Sequence, residues 1–264
     1  MRDRGIMACL ILYTAIAGWP VASSAAGCPS GAGWNYTIGS GIGPDSWGSL
    51  FPSSCGNGVR QSPVNIVTKR AIRSPLPKIE FHYDIADVVT LDHNDQTLTG
   101  HGAGNYITVD GTKYVLDNIH GHTPSEHTIN GLRLPLELHF VHVSDAGQYV
   151  VVGVLVKEGH PNQGIIEPPS GSDPSSVDFK LTDLIPKNRH YYSYDGSLTT
   201  PGSNPTAIGC PEVVLWVVMT RLIAMSSAQI QAFKDSGFAC WGTDNTARPV
   251  QPINNRFLFV SSDP

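Results

Sequence analysis

The chain contains no internal repeat, no long run of like charge and no basic amphipathic helix. Past its first two dozen residues, no apolar stretch reaches the ~18 residues of a membrane span. Nothing in it favours nucleic acid or a membrane surface, and the formal net charge of -5 and pI of about 6.0 agree with that. The helix-borne pattern His-Glu-x-x-His is missing, which leaves that class of zinc hydrolase without support. Helix signals of any kind are few, and cysteine occurs only five times.

Glycine (27) and proline (20) are abundant, beside 41% hydrophobic residues. In 264 residues without a linker, that composition predicts one loop-rich, mostly β domain. Residues 27–60, rich in Gly, Pro and Ser, read as an N-terminal wrap on the core. Short β-branched or alternating runs predict strands at Lys78–Tyr83, Val88–Asp92, Tyr106–Val109, Tyr114–His122, Glu137–Val143 and Tyr149–Lys157. Asp110-Gly111 is a hairpin signal between two of them. The run Val150–Val156 is apolar on both faces, as a central strand is. One short helix is predicted at Ser226–Phe233, behind a serine cap, and a second at Val177–Leu184. Residues 171–176 and 202–209 read as surface loops.

Residues 1–26 have the make-up of a secretory signal peptide: Arg2 and Arg4, an apolar stretch from Ile6 to Trp19, then the small residues Ser24-Ala25-Ala26. Cleavage after Ala26 leaves a domain of residues 27–264, secreted or otherwise extracytoplasmic and with no membrane segment in its mature form. A retained anchor, or a lipobox at Ala25-Ala26-Gly27-Cys28, is the alternative. Cleavage also removes Cys9. Cys28, Cys55, Cys210 and Cys240 remain, an even set that allows two disulfides in three connectivities. Asn35-Tyr36-Thr37 is a glycosylation sequon.

The chemistry is carried by histidines. In a strand, residues two apart share a face, so His120 and His122 point the same way. A strand through Glu137-Leu138-His139, folded back beside the first by a turn near Asn130-Gly131, adds a third imidazole. Three neutral imidazoles with an open fourth position are the donor set of a catalytic zinc site. Zinc there brings a bound water to a pKa near ~7.

The segment Asn118-Ile119-His120-Gly121-His122-Thr123-Pro124-Ser125-Glu126-His127-Thr128, continued at Glu137-Leu138-His139, resembles the signature of the α-class carbonic anhydrases. Four further segments agree in order: Trp34-Asn35-Tyr36 with Gly43–Trp47, Gln61–Ile66, Gly196–Pro201 with Cys210–Trp216, and Arg248–Arg256. The resemblance spans about residues 34–260 and is nearest in flavour to the secreted plant and algal type. It implies a single domain with a twisted, mainly antiparallel ten-stranded sheet, short peripheral helices and a zinc at the bottom of a cleft. The implied reaction is reversible hydration of CO2 to bicarbonate and a proton by zinc-bound hydroxide, with weak hydrolysis of activated esters as a side reaction.

By the same resemblance Zn2+ is held by His120, His122 and His139. Asn118 accepts from His120, Glu137 from His139, and a backbone carbonyl near Thr246 from His122. Thr199 orients the nucleophile and donates its own hydroxyl hydrogen bond to Glu126, while Thr200 touches bicarbonate more loosely. Val141, Val151, Leu198, Val214 and Trp216 line an apolar CO2 pocket. His127 and His142 read as satisfied core histidines, and His82, His101, His160 and His190 as surface residues.

Three departures from the family pattern stand out. Gln96 occupies the place of the family's proton-shuttle histidine and cannot titrate near neutral pH. His93, three residues away, is the available substitute. Proton export is therefore expected to be slow unless buffer carries the proton. Gly121 replaces the aromatic residue between the first two ligands, with lost packing as the expected consequence. The stretch after Thr200-Pro201 is longer than in short members. For the cysteines the resemblance implies Cys55 with Cys210, which leaves Cys28 for Cys240. The rival reading is a non-catalytic storage or binding protein on the same fold; the three intact ligands argue against it. CO2 and bicarbonate are the only partners the sequence indicates.

Overall fold

A computed structural model describes residues 33–84, 88–92, 99–100, 104–166, 178–202 and 209–262. The strands that position the site are β1 (Ile72–Ser74), β2 (Tyr106–Val109), β3 (Thr112–His122), β4 (Leu136–Val143), β5 (Tyr149–Glu158), β6 (Tyr191–Gly196), β7 (Val214–Met219) and β8 (Phe259–Ser261). They run side by side in the order β3-β4-β5-β7-β6-β8-β1, with β2 paired to β3. Pairing is mainly antiparallel; β5/β7 and β8/β1 are parallel. The mostly β fold expected from the sequence is what forms. Among the described residues the sheet takes in fourteen paired segments when two- and three-residue pieces such as Thr99–Gly100 are counted.

The sequence pattern explains this order. Asp110 and Gly111 both adopt positive φ, 49° and 75°, and close the two-residue hairpin between β2 and β3. Along β5, Val150, Val152, Val154 and Val156 face one apolar cluster, while Val151 and Leu155 face another. A strand buried on both faces must lie inside the sheet, and β5 does, between β4 and β7. Each such valine or leucine taken out of water contributes about 1.5–3 kcal/mol.

Residues 33–60 wrap the core as expected. Trp34, Tyr36 and Trp47 are buried in a third cluster with Cys55 and Cys210. Cys55 and Cys210 form a disulfide that ties this wrap to the segment following the Thr199 loop. Cys28, the side chain of Cys240 and the longer stretch after Pro201 lie outside the described residues.

Two helix expectations need correction. The helix predicted at Ser226–Phe233 is longer: α1 spans Ser227–Trp241. It begins with a reciprocal cap, in which the Gln229 amide donates to Ser226 Oγ and the Ser226 amide to Gln229 Oε1. Its far end is held by tertiary contact. Trp241 stacks on Trp34 with ring centroids 4.9 Å apart, which carries the helix past a glycine that costs about 1 kcal/mol in a helix interior. The helix expected over Val177–Leu184 is instead a strand, Asp178–Lys180, paired on both sides, followed by a single turn, Leu181–Leu184.

Candidate metal centre

The β3/β4 register assembles the site. His120 lies directly opposite His139, and His122 opposite Glu137. A bulge at Asp117 shifts the register between Leu116 and Asn118, and beyond it Asn118, His120 and His122 alternate onto one face. The ligand atoms of His120, His122 and His139 all fall within 4.8 Å of one another. His122 and His139 are fully buried and His120 half-buried.

Each imidazole has one nitrogen facing a polar atom on the side away from the cluster. His120 Nδ1 is 2.7 Å from Asn118 Oδ1, and His122 Nδ1 is 2.7 Å from the Thr246 carbonyl oxygen. His139 Nε2 is 3.1 Å from Glu137 Oε1, at an angle short of a proper hydrogen bond. Asn118 and the Thr246 carbonyl stand against the imidazoles the sequence assigned to them, while Glu137 lies close to His139 without a hydrogen bond. They leave Nε2 of His120, Nε2 of His122 and Nδ1 of His139 facing inward. Burial, and then the two neighbouring imidazoles, hold His120 well below the usual histidine range; burial lowers His122 as well. Neutral imidazole is the form that binds a metal.

Several buried polar atoms here have no hydrogen-bond partner among the described residues: His122 Nε2, His139 Nε2, Glu126 Oε2 and Tyr36 Oη. Glu126 Oε2 is 3.5 Å from His122 Nε2 and 4.0 Å from His139 Nδ1. Unmet buried donors and acceptors cost about 1–3 kcal/mol each. A cation held by the imidazoles would satisfy the His122 nitrogen and offset the carboxylate beside it, so the donor set fits a divalent metal such as zinc. A second group, His127, Glu137 and His139, is also close enough to bind an ion. Its atoms are already committed: His127 Nδ1 is 2.7 Å from Glu137 Oε1, and His127 Nε2 is 2.6 Å from Tyr194 Oη.

That second group supports the first. Glu137 accepts from the His127 amide (2.7 Å) and side chain, and Tyr194 Oη continues to Ser62 Oγ at 3.0 Å. Ser62 Oγ accepts from the Ser197 amide, two residues before Thr199. Burial alone would raise the Glu137 carboxyl, yet His127 and His139 beside it hold it well below the carboxylate range. Tyr194 and Ser62 were not singled out from the sequence. Neither was Gly153, although a lone glycine inside a valine run signals a close approach. A Cβ at Gly153 would lie 2.9 Å from Glu137 Oε1. The Gly153→Ala variant is expected to push Glu137 off His139 and weaken metal affinity about 10-fold, the lower end of what a lost supporting contact costs. Competition against a chromogenic chelator measures it.

Glu126 is fully buried and accepts from the Arg248 amide (2.9 Å) through Oε1. Arg248, also absent from the sequence reading as a site residue, is itself buried. Its guanidinium donates to Gln61 Oε1 and the Ser62 carbonyl oxygen, and burial lowers it to about 10. Thr199 and Thr200 are both buried on the loop after β6. Val141, Val151, Val214, Trp216 and the half-buried Leu198 come together in one apolar cluster. The Trp216 ring is 4.9 Å from that of His139, so this cluster adjoins the imidazoles.

Among the described residues the remaining histidines follow expectation with one correction. His127 is satisfied as above. His142 is buried, 2.8 Å from Tyr83 Oη, and burial lowers it to about 4. His82 and His160 are exposed. His190 is half-buried, because its Nδ1 packs against Ser261 Oγ at 3.2 Å. His93, Gln96 and His101 lie outside the described residues. Gly121 is also a correction. A Cβ there would lie 2.7 Å from the Phe233 ring, so α1 delivers an aromatic side chain into the space and packing is not lost.

Comparison with known proteins agrees with this site. The profile of the eukaryotic-type carbonic anhydrases matches residues 42–262. A carbonic anhydrase of Neisseria gonorrhoeae is 34% identical over 234 residues, covering 86% of this chain and 87% of the relative. The α-carbonic anhydrase of Thermovibrio ammonificans, solved with the inhibitor sulfanilamide, superposes with a TM-score of 0.71 at 34% identity and covers 88% of this chain and all of its own. Dioscorin, solved with ascorbate, gives a TM-score of 0.73 at 29% identity, covering 86% of this chain and 97% of its own.

Proposed function

Since the chain belongs to the eukaryotic-type carbonic anhydrase family and is a carbonate dehydratase, we propose that its CO2 hydration runs at a Zn2+ ion held by His120, His122 and His139. The observation that carries this reading is the inward-facing, otherwise unpartnered set of ring nitrogens beside Glu126. When bound, zinc supplies Lewis acidity that brings the pKa of water to about 7.

The chain's own residues do the rest. Asn118, Glu137 and the Thr246 carbonyl fix the tautomer and orientation of the three imidazoles. Glu126, its Oε1 held by the Arg248 amide, keeps Oε2 free to accept the Thr199 hydroxyl proton. Thr199 then has a lone pair, not a proton, to offer the attacking water, which aims that water at carbon. Val141, Val151, Leu198, Val214 and Trp216 bind CO2 without competing for it as hydrogen-bond donors, and Thr200 contacts the departing bicarbonate. Glutamine at position 96 carries no proton near pH 7, so the proton leaves through buffer or, as the substitute, through His93. Weak hydrolysis of activated esters follows from the same site.

The protein is proposed to be exported by cleavage after Ala26. Its Cys55–Cys210 disulfide supports an oxidising, extracytoplasmic compartment. Asn35, half-buried beside the exposed Thr37, is the proposed glycosylation acceptor.

Stopped-flow CO2 hydration of the purified mature protein, with zinc content measured across a buffer series, tests the reading. One zinc per chain and a rate that climbs several-fold with buffer concentration are expected. A fast rate at low buffer would reject the role given to Gln96, and one zinc without activity would reject the catalytic reading in favour of a binding protein.

A further inference from the structure

A polar recess of about 580 Å³ opens where β1, β6 and β8 meet, far from the metal centre. Its walls carry Arg73 from β1, Tyr192 from β6, and Asn188 and Arg221 from the turns that precede β6 and follow β7. These turns sit at the opposite end of β6 from the Thr199 loop, roughly 20 Å away at about 3.3 Å per strand residue.

The recess stands out by its unspent donors. No lining residue is acidic, although the chain as a whole carries net negative charge. The guanidiniums of Arg73 and Arg221 form no ion pair or hydrogen bond among the described residues, and neither does the Tyr192 hydroxyl. Asn188 accepts from the His190 amide through Oδ1 (3.0 Å), which leaves its Nδ2 to donate. The lining threonines differ: Thr220 donates to the His190 carbonyl oxygen and Thr68 is bonded to Asn130, so their hydroxyls are spent. Exposed Lys69, Arg70 and Lys187 lie next in sequence to lining residues and add positive charge around the rim.

We propose that this recess is a second, non-catalytic binding site for a phosphate- or sulfate-bearing small molecule. Two guanidiniums are the side chains best suited to a tetrahedral oxyanion, since each can donate two parallel hydrogen bonds. The amide and phenol supply further donors to the same group or to a polar body attached to it. The volume exceeds what a bare inorganic anion fills, which favours an anion carried on a larger polar unit such as a sugar.

The test is isothermal titration of the zinc-loaded mature protein with inorganic phosphate and with glucose 6-phosphate, at ionic strength held constant with chloride. Saturable binding is expected, weakened at least 10-fold in the Arg73→Ser/Arg221→Ser variant and partly recovered in Arg73→Lys/Arg221→Lys, with CO2 hydration unchanged in both. Tighter binding of the sugar ester marks a carried anion as the ligand class, and equal binding of the two marks the free anion. Undiminished binding in the serine variant would send the anion elsewhere, the metal centre included, and would overturn the proposal. So would the absence of binding beyond the chloride control. Because the serine variant leaves the catalytic residues intact, failure here leaves the carbonic anhydrase reading standing.

Discussion

Replacement of His122 by alanine will abolish stoichiometric zinc binding and bring CO2 hydration down to the buffer background. Of the three imidazoles, His122 is the most firmly held. It is fully buried, its Nδ1 is fixed by the Thr246 carbonyl oxygen, and its Nε2 is within 3.5 Å of Glu126. Its loss removes a donor outright. Removing a residue that merely orients a donor costs about 10–100-fold in metal affinity or activity, so deletion of the donor must cost more. The fold should survive, because the pairing of β3 with β4 at His122 is made by backbone groups. Metal analysis of the dialysed protein and stopped-flow rates check the result. A variant that retains one zinc and its rate would mean that the metal sits elsewhere.

The centre was legible in the sequence because its geometry is local. The i, i+2 spacing of Asn118, His120 and His122 fixes their common face once a strand is assumed, and Glu137 and His139 repeat the spacing on the next strand. Contacts that depend on distant chain were less legible. Arg248 meets Glu126 across 122 positions, and Ser62 reaches Tyr194 across 132. No periodicity encodes such pairings. Gly121 shows the same limit from another side. Read alone, it is a missing aromatic; in three dimensions Phe233 arrives from a helix more than a hundred residues on. The helix itself was underestimated because its last turns are stabilised by stacking on Trp34, a tertiary contact, rather than by local propensity.

Glu126→Gln will separate metal binding from catalysis: zinc content is expected to stay at one per chain while kcat/KM for CO2 falls on the order of 100-fold, the scale on which a positioned group at a reacting centre contributes. The argument rests on what each carboxyl oxygen faces. Oε1 accepts the Arg248 amide, and Oε2 has no partner among the described residues. The isosteric amide has one oxygen, and it can satisfy only one of these places. If the oxygen stays with Arg248, the amide NH2 points towards the metal side and offers Thr199 hydrogens instead of an acceptor. Thr199 must then turn its own proton inward, and its lone pair is no longer presented to the attacking water. If the amide flips, NH2 meets the Arg248 N–H, donor against donor, and the protein loses about 1–3 kcal/mol of stability for the buried mismatch. Either orientation costs something measurable, and the two are told apart by thermal unfolding, which shifts only in the second. Thr199→Val is expected to lower the rate to a similar degree, and adding it to Glu126→Gln should cost little more, because the two residues are proposed to act as one unit. A wild-type rate in Glu126→Gln, or a fully additive double variant, would break the link between Glu126 and Thr199 and require another explanation for a buried carboxylate oxygen left without a partner beside the metal ligands.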